Sequence, residues 1–133
     1  MRYLLNVNVL VAWGWANHSD HARVTLWIKR TKKLTGSLFL TSPIPELGFI
    51  RVSGHRSAGQ VPPEEAGKVL SGMLLALGKH HLFLPDDQTA IQWPAWCRTA
   101  AHTTDAHLLA LAQAHGAKLA TLDQGIPGAL LIP

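Results

Sequence analysis

Four short apolar runs, each followed by a stretch of helical periodicity or a turn, constrain this chain more than anything else in it. They are Arg2–Leu5, Leu38–Leu40, His81–Leu84 and Lys118–Leu122. Parallel strands must be joined by crossovers, usually helical, and a parallel sheet buried on both faces reads as continuous apolar runs. The expected fold class is therefore α/β, with a short central parallel sheet flanked by helices on both faces in three layers. Leu130–Ile132 offers a last strand. A length of 133 residues is enough for one core and too little for two, and no linker interrupts it, so a single domain over 1–133 is expected.

Between the runs, Val9, Leu10, Ala12 and Trp13 share a helical face. A second helix is expected from Ser19 or Asp20, with Ala22, Leu26 and Trp27 inward, fading into the basic run Lys29–Lys33. Ser42 precedes a helix with Pro43 and Pro45 in its first turn, and Gly54–Pro62 reads as loop. Pro63 opens a helix whose apolar face uses Val69, Leu70, Met73, Leu74 and Leu77, with Gly78 as its stop. Asp86 or Asp87 is expected to cap a helix over Ala90–Cys97. Thr103 or Thr104 is expected to cap Asp105–His115, which Gly116 closes.

Composition excludes several classes. Hydrophobic residues make up 47% and charged residues 15%, unlike a disordered chain or a coiled coil. The lone Cys97 excludes an internal disulfide and a cysteine zinc cage, and suits a reducing compartment. The apolar start is broken by Asn6 and Asn8, and no run is long enough to span a membrane, so a cytoplasmic protein is expected. A formal charge of +4 permits a polyanionic partner.

Ligands of a parallel sheet bind at the carboxyl edge of its strands. The expected map delivers Asn6, Glu46, Asp105 and Asp123 there from four distant segments. Three converging carboxylates raise one another's pKa unless a cation sits among them, and oxygen donors select Mg²⁺ or Mn²⁺ over zinc. Each acid also has a plainer explanation: Glu46 and Asp105 as first-turn acids, Asp123 as a turn aspartate. Asn6, between apolar residues, has the weakest such explanation.

The order of these segments resembles a known family. Leu4-Leu5-Asn6-Val7-Asn8-Val9-Leu10 is similar to the opening motif of PIN-domain nucleases, with Asn6 in the place of their aspartate. Thr41-Ser42-Pro43-Ile44-Pro45-Glu46-Leu47 resembles their central glutamate segment. Thr104-Asp105-Ala106-His107-Leu108 and Leu119-Ala120-Thr121-Leu122-Asp123 resemble their third and fourth motifs. The last two point to the toxin branch called VapC. The resemblance implies a PIN-like fold and an endoribonuclease in which water activated by Mg²⁺ or Mn²⁺ hydrolyses an RNA phosphodiester. Asn6, Glu46, Asp105 and Asp123 would be the catalytic set, with Asn6, Asp105 and Asp123 on the metal. Asn8, Thr104 and Thr121 would orient those side chains. A VapB-type antitoxin, a transfer or ribosomal RNA substrate and a homodimer are implied in the same way.

Asn6 departs from the pattern. An amide oxygen can ligate a metal but brings no charge, so weaker metal binding and a large loss of activity are expected. Two readings stand side by side. One is a deliberate Asp→Asn replacement that silences a toxic nuclease, favoured because the remaining motifs are intact. The other is a homologue that binds antitoxin or RNA without cutting.

Other constellations carry less. Eight histidines include the pairs His18/His21, His80/His81 and His102/His107, without an HExxH or a cysteine pair to make a zinc site. His18, after the first helix, could approach a substrate channel. Arg51, His55 and Arg56 are candidates for guiding an RNA backbone, and the Lys29–Lys33 run for tracking phosphates or simply solvating a helix end. Trp13, Trp15 and Trp27 either line a partner groove or pack between helices.

Overall fold

The strands alternate between two faces, and each face has its own core. In the computed structural model, which describes residues 1–133, Tyr3, Leu5, Phe39 and Ala120 point to one side of the sheet. Leu4, Leu40 and Leu119 point to the other. This period of two is what a strand buried on both faces imposes. The strands are β1 (Arg2–Leu5), β2 (Leu38–Thr41), β3 (His81–Phe83), β4 (Lys118–Thr121) and β5 (Leu130–Leu131). All pair in parallel, in the order β3-β2-β1-β4-β5. The three-layer α/β expectation is met.

Helices α1 (Val7–Gly14), α2 (His21–Lys32), α3 (Pro43–Arg56) and α4 (Pro63–Leu77) contribute to the first core. Its centre is aromatic: Trp27 stands edge-on to Tyr3 at 5.3 Å and to Phe39 at 5.6 Å. Helix α5 (Thr103–Ala114) covers the second face through Leu108, Leu109 and Leu111, helped by Leu84 and Trp96. Two glycines let the helices of the first layer approach. A Cβ on Gly48 of α3 would lie 2.5 Å from Val7 Cγ2, and one on Gly14 of α1 would lie 2.6 Å from Phe49 Cε2. The stop at Gly116, with φ +64°, uses the conformation that favours glycine at a helix end.

Several expectations are corrected. Residues 90–97 form no helix. Pro94 cannot donate a helical hydrogen bond and biases Trp93 away from helical angles. Asp86 and Asp87 therefore cap nothing. Asp86 Oδ2 instead pairs with His107 Nε2 at 2.7 Å, and Asp87 with His115 Nε2 at 2.9 Å, tying this irregular segment to α5 and the residue after it. Helix α2 buries Val24, Trp27, Ile28 and Thr31 rather than Ala22 and Leu26. Leu26 shares its helical face with Lys29, Arg30 and Lys33, whose charges hold that side in water. Trp27 is thus core and cannot line a groove. On α4, Val69 is exposed, while Ala66, Leu70 and Leu77 are buried. Helix α3 continues through Gly54 to Arg56, so the loop starts at Ser57. Thr103 and Thr104 lie inside α5, whose cap position is His102. Ser42 occupies the cap position of α3 but turns its hydroxyl to Leu84 O at 2.7 Å.

Candidate active site

Strand order reverses at β1: β2 and β3 lie on one side of it, β4 and β5 on the other. The crevice at such a switch point, beyond the strand ends, is where α/β sheets bind ligands. Asn6 follows β1 there and serves as N-cap of α1, its Oδ1 accepting from Val7 N–H at 2.7 Å. Thr121 ends the adjacent β4. Asn6 Nδ2 donates to Thr121 Oγ1 at 3.1 Å and to Asp105 Oδ1 at 3.2 Å. The amide's orientation follows from its partners: turned over, it would set its N–H groups against Val7 N–H and its oxygen against a carboxylate.

Around this contact the oriented groups form a network. Asn8 Nδ2 reaches Thr121 Oγ1 at 3.3 Å, and Asn8 Oδ1 accepts from Leu122 N–H at 3.2 Å. Asp123 N–H donates to Thr121 Oγ1 at 3.1 Å. Asp123 itself is exposed, and its Oδ1 accepts from Gly125 N–H at 2.8 Å, closing a turn. Burial pushes the Asp105 carboxyl above the usual carboxylate range. The Asn6 hydrogen bond opposes that rise, the negative charge of Asp123 adds to it, and His102 opposes it.

A cavity of about 420 Å³ opens over this network, lined by Asn6, Asn8, Thr104 and Asp105 together with His18, Arg51 and Arg56. His18 Nδ1 accepts from Asp20 N–H at 3.0 Å, which places its proton on Nε2. Arg56 is held over the Trp15 ring, 5.0 Å from its centre, and donates to Asn17 Oδ1 at 3.1 Å. His55 lies outside this cavity, in a neighbouring groove with Arg51.

Glu46 stands apart from the carboxylate pair. Its Oε2 accepts from Thr41 Oγ1 at 2.7 Å, and the same hydroxyl meets His81 Nε2 at 2.7 Å. Glu46 and His81 line a wider groove of about 730 Å³ between α3 and α4. Burial lowers the His81 pKa, with the Glu46 charge acting against that shift. Sequence reasoning missed His81 because its link to Glu46 exists only through the β2–β3 pairing. His102 was weighed only as half of a zinc pair, and its place beside Asp105 depends on the turn before α5.

The donor chemistry partly suits a hard divalent cation. Asp105 and Asp123 repel one another through space, which a cation between them would relieve. No group of three or more His, Cys, Asp or Glu side chains is gathered closely enough to enclose an ion. Asn6 turns a donor, not an oxygen, toward Asp105.

Comparison with known proteins places the chain among one kind of sequence. The model of the PIN domain matches residues 3–128. Ribonuclease VapC39 of Mycobacterium tuberculosis (strain CDC 1551 / Oshkosh) is 39% identical over 132 residues, covering 95% of this chain and 91% of that protein. Ribonuclease VapC38 of strain ATCC 25618 / H37Rv is 36% identical over 126 residues, covering 92% and 86%. Ribonuclease VapC44 of the same strain is 33% identical over 134 residues, covering 95% and 89%.

Proposed function

The chain belongs to the PIN-domain family, and from that premise we propose that it is a metal-dependent endoribonuclease of a toxin–antitoxin pair, weakened by the amide at position 6. The observation that supports this most is the cavity at the switch point. Asn6 and Asp105 share the lining of one opening with Arg51 and Arg56. A phosphodiester needs both: cations for its non-bridging oxygens and carboxylates beside the scissile bond.

Asp105 and Asp123 would hold Mg²⁺ or Mn²⁺. When bound, the ion supplies Lewis-acid charge stabilisation and lowers the pKa of a nearby water. Arg51 and Arg56 draw the RNA backbone in, with His18 Nε2–H as a further donor to phosphate. Asn8 and Thr121 orient the end of β4 and hold Asp123 near Asp105. Thr104 lines the mouth beside Asp105. Glu46, on the far side of Thr41, acts through that hydroxyl, and His55 extends the basic lining outward.

The test is RNA cleavage in Mg²⁺ or Mn²⁺ by this chain and by Asn6→Asp, with transfer and ribosomal RNA among the substrates. The aspartate variant is expected to cut at least tenfold faster. A well-folded aspartate variant that leaves every RNA intact removes the enzyme reading. One observation favours the second reading, a module that binds without cutting: the Asn6 amide already satisfies Asp105 without a cation.

A VapB-type antitoxin helix fits the apolar groove between α3 and α4, where Leu47 and Leu75 are exposed at 63% and 78%. The small pocket joining Gly14 and Trp15 to α4 extends it toward α1. Leu47→Asp with Leu75→Asp is expected to abolish co-purification of the antitoxin, and retained binding would move the partner elsewhere. Homodimer formation is read out by light scattering on the purified chain.

A further inference from the structure

We propose that the amino edge of the sheet is a second RNA site, gripping the phosphate backbone on the side of the molecule opposite the acidic cavity. Every crossover of a parallel sheet returns the chain to that edge. Here the returns are basic: Lys32-Lys33 shortly before β2, Lys79-His80 before β3, and Lys118 as the first residue of β4. β1 enters through Arg2. None of the eight acidic residues falls in these lead-in segments, and none of these lysines or Arg2 is in a salt bridge. The carboxyl ends of α2, α4 and α5 converge here, and their dipoles favour nearby cations. That accounts for part of the charge and not for what lies beneath it.

Beneath it is a cleft of about 440 Å³ lined by Lys32, Lys33, Ser37, Lys79 and His80. Ser37 is 3% exposed, and its hydroxyl has no hydrogen-bond partner. Arg2, beside Leu38 in the β1–β2 register, has a buried Nε that is equally unpartnered. Buried donors without acceptors are rare in folded proteins, and the Ser37 hydroxyl, buried in the lining of this cationic cleft, calls for an anion, while the Arg2 Nε lies on the other face of the sheet. Lys79 at β3 and Lys118 at β4 are separated by three strand intervals, about 14 Å at the usual spacing. A row that long exceeds one phosphate and suits consecutive phosphates of a nucleic-acid strand. The choice of RNA over other polyanions rests on the ribonuclease reading, while the phosphate chemistry does not. The edge lies about 13 Å below the carboxyl ends, the length of a four-residue strand, so one folded RNA can reach both.

The test is binding of a labelled single-stranded RNA in chelator, so that nothing is cut, followed by fluorescence anisotropy across a salt series. Lys33, Lys79 and Lys118 are exposed, so Lys33→Ala with Lys79→Ala and Lys118→Ala leaves the core intact. That triple variant is expected to weaken binding about tenfold or more at low salt. It should flatten the log–log salt dependence by about 2, roughly 0.7 for each phosphate that is no longer neutralised. The corresponding Lys→Arg triple should bind like the parent. Unchanged affinity and slope in the alanine variant overturn the site. So does saturation by inorganic phosphate that leaves RNA binding untouched, or binding of phosphatidylglycerol vesicles in place of RNA. Cleavage judges the other reading separately. An Asn6→Asp chain that cuts while the salt slope stays unchanged sinks this site alone. A flattened slope in a chain that never cuts keeps the site and sinks the enzyme.

Discussion

Asn6 shows how one atom changes what a site can hold. An aspartate there would set a second carboxylate oxygen where Nδ2 now stands, 3.2 Å from Asp105 Oδ1. Two such groups push each other's pKa up, a cost of about 1–3 kcal/mol at neutral pH without a cation. Asn6→Asp is therefore expected to unfold at a lower temperature than the parent in chelator and to recover in Mn²⁺, read by thermal denaturation. Equal stability of the two proteins in chelator would show that the amide replaces nothing. His81 makes a second residue-scale prediction. Burial holds its folded pKa below the unfolded value of 6.5, so the unfolded chain binds more protons between those two values. Stability should be full above pH 6.5 and decline as pH falls through the folded pKa. His81→Gln should flatten that decline in urea midpoints measured from neutral to mildly acidic pH.

At the scale of elements, the α1–α3 crossing and the segment after β3 are the places where packing can be tested. Gly48→Ala would drive a methyl into Val7, the residue next to Asn6, and is expected to cost about 1–3 kcal/mol in urea unfolding. No change in the midpoint would mean that the helices can separate freely there. The segment from Leu84 to Thr99 has no regular structure, and the His107–Asp86 contact, with both side chains mostly buried, anchors it. His107→Ala should cost about 1.5–3 kcal/mol, the range for a hydrogen bond to a charged group. It should also speed trypsin cleavage after exposed Arg98, and an unaltered cleavage rate would put the anchor elsewhere.

At the scale of the whole molecule, parallel topology separates charge. Asp105 and Asp123 gather where the strands end, while lysines collect where they begin. The broad α3–α4 groove lies in the helical layer of the first core. No helix is long and apolar enough to cross a membrane. An antitoxin in the groove and RNA on the sheet edges would thus meet different surfaces. Their binding should be additive when titrated in either order, except where the antitoxin reaches Arg51 and Arg56.

The strands and their parallel arrangement were legible in the amino acids, and of the four residues expected at one edge, Asn6, Asp105 and Asp123 lie near one another while Glu46 is bound to Thr41. Apolar runs of this length between helices admit few layouts, and parallel strands must end together. The failures were local and had tertiary causes. Leu26 is apolar yet faces water because its helical neighbours are charged, and Ala90–Cys97 looks helical until Pro94 is weighed. Which way the Asn6 amide turns, that Glu46 joins Thr41 and His81 instead of Asp105, and that Ser37 and Arg2 are left without partners depended on the assembled sheet. Periodicity reports which face a residue occupies. Hydrogen-bond direction and unpaired donors depend on angles and distances between segments far apart in the chain, and only the packed structure sets those.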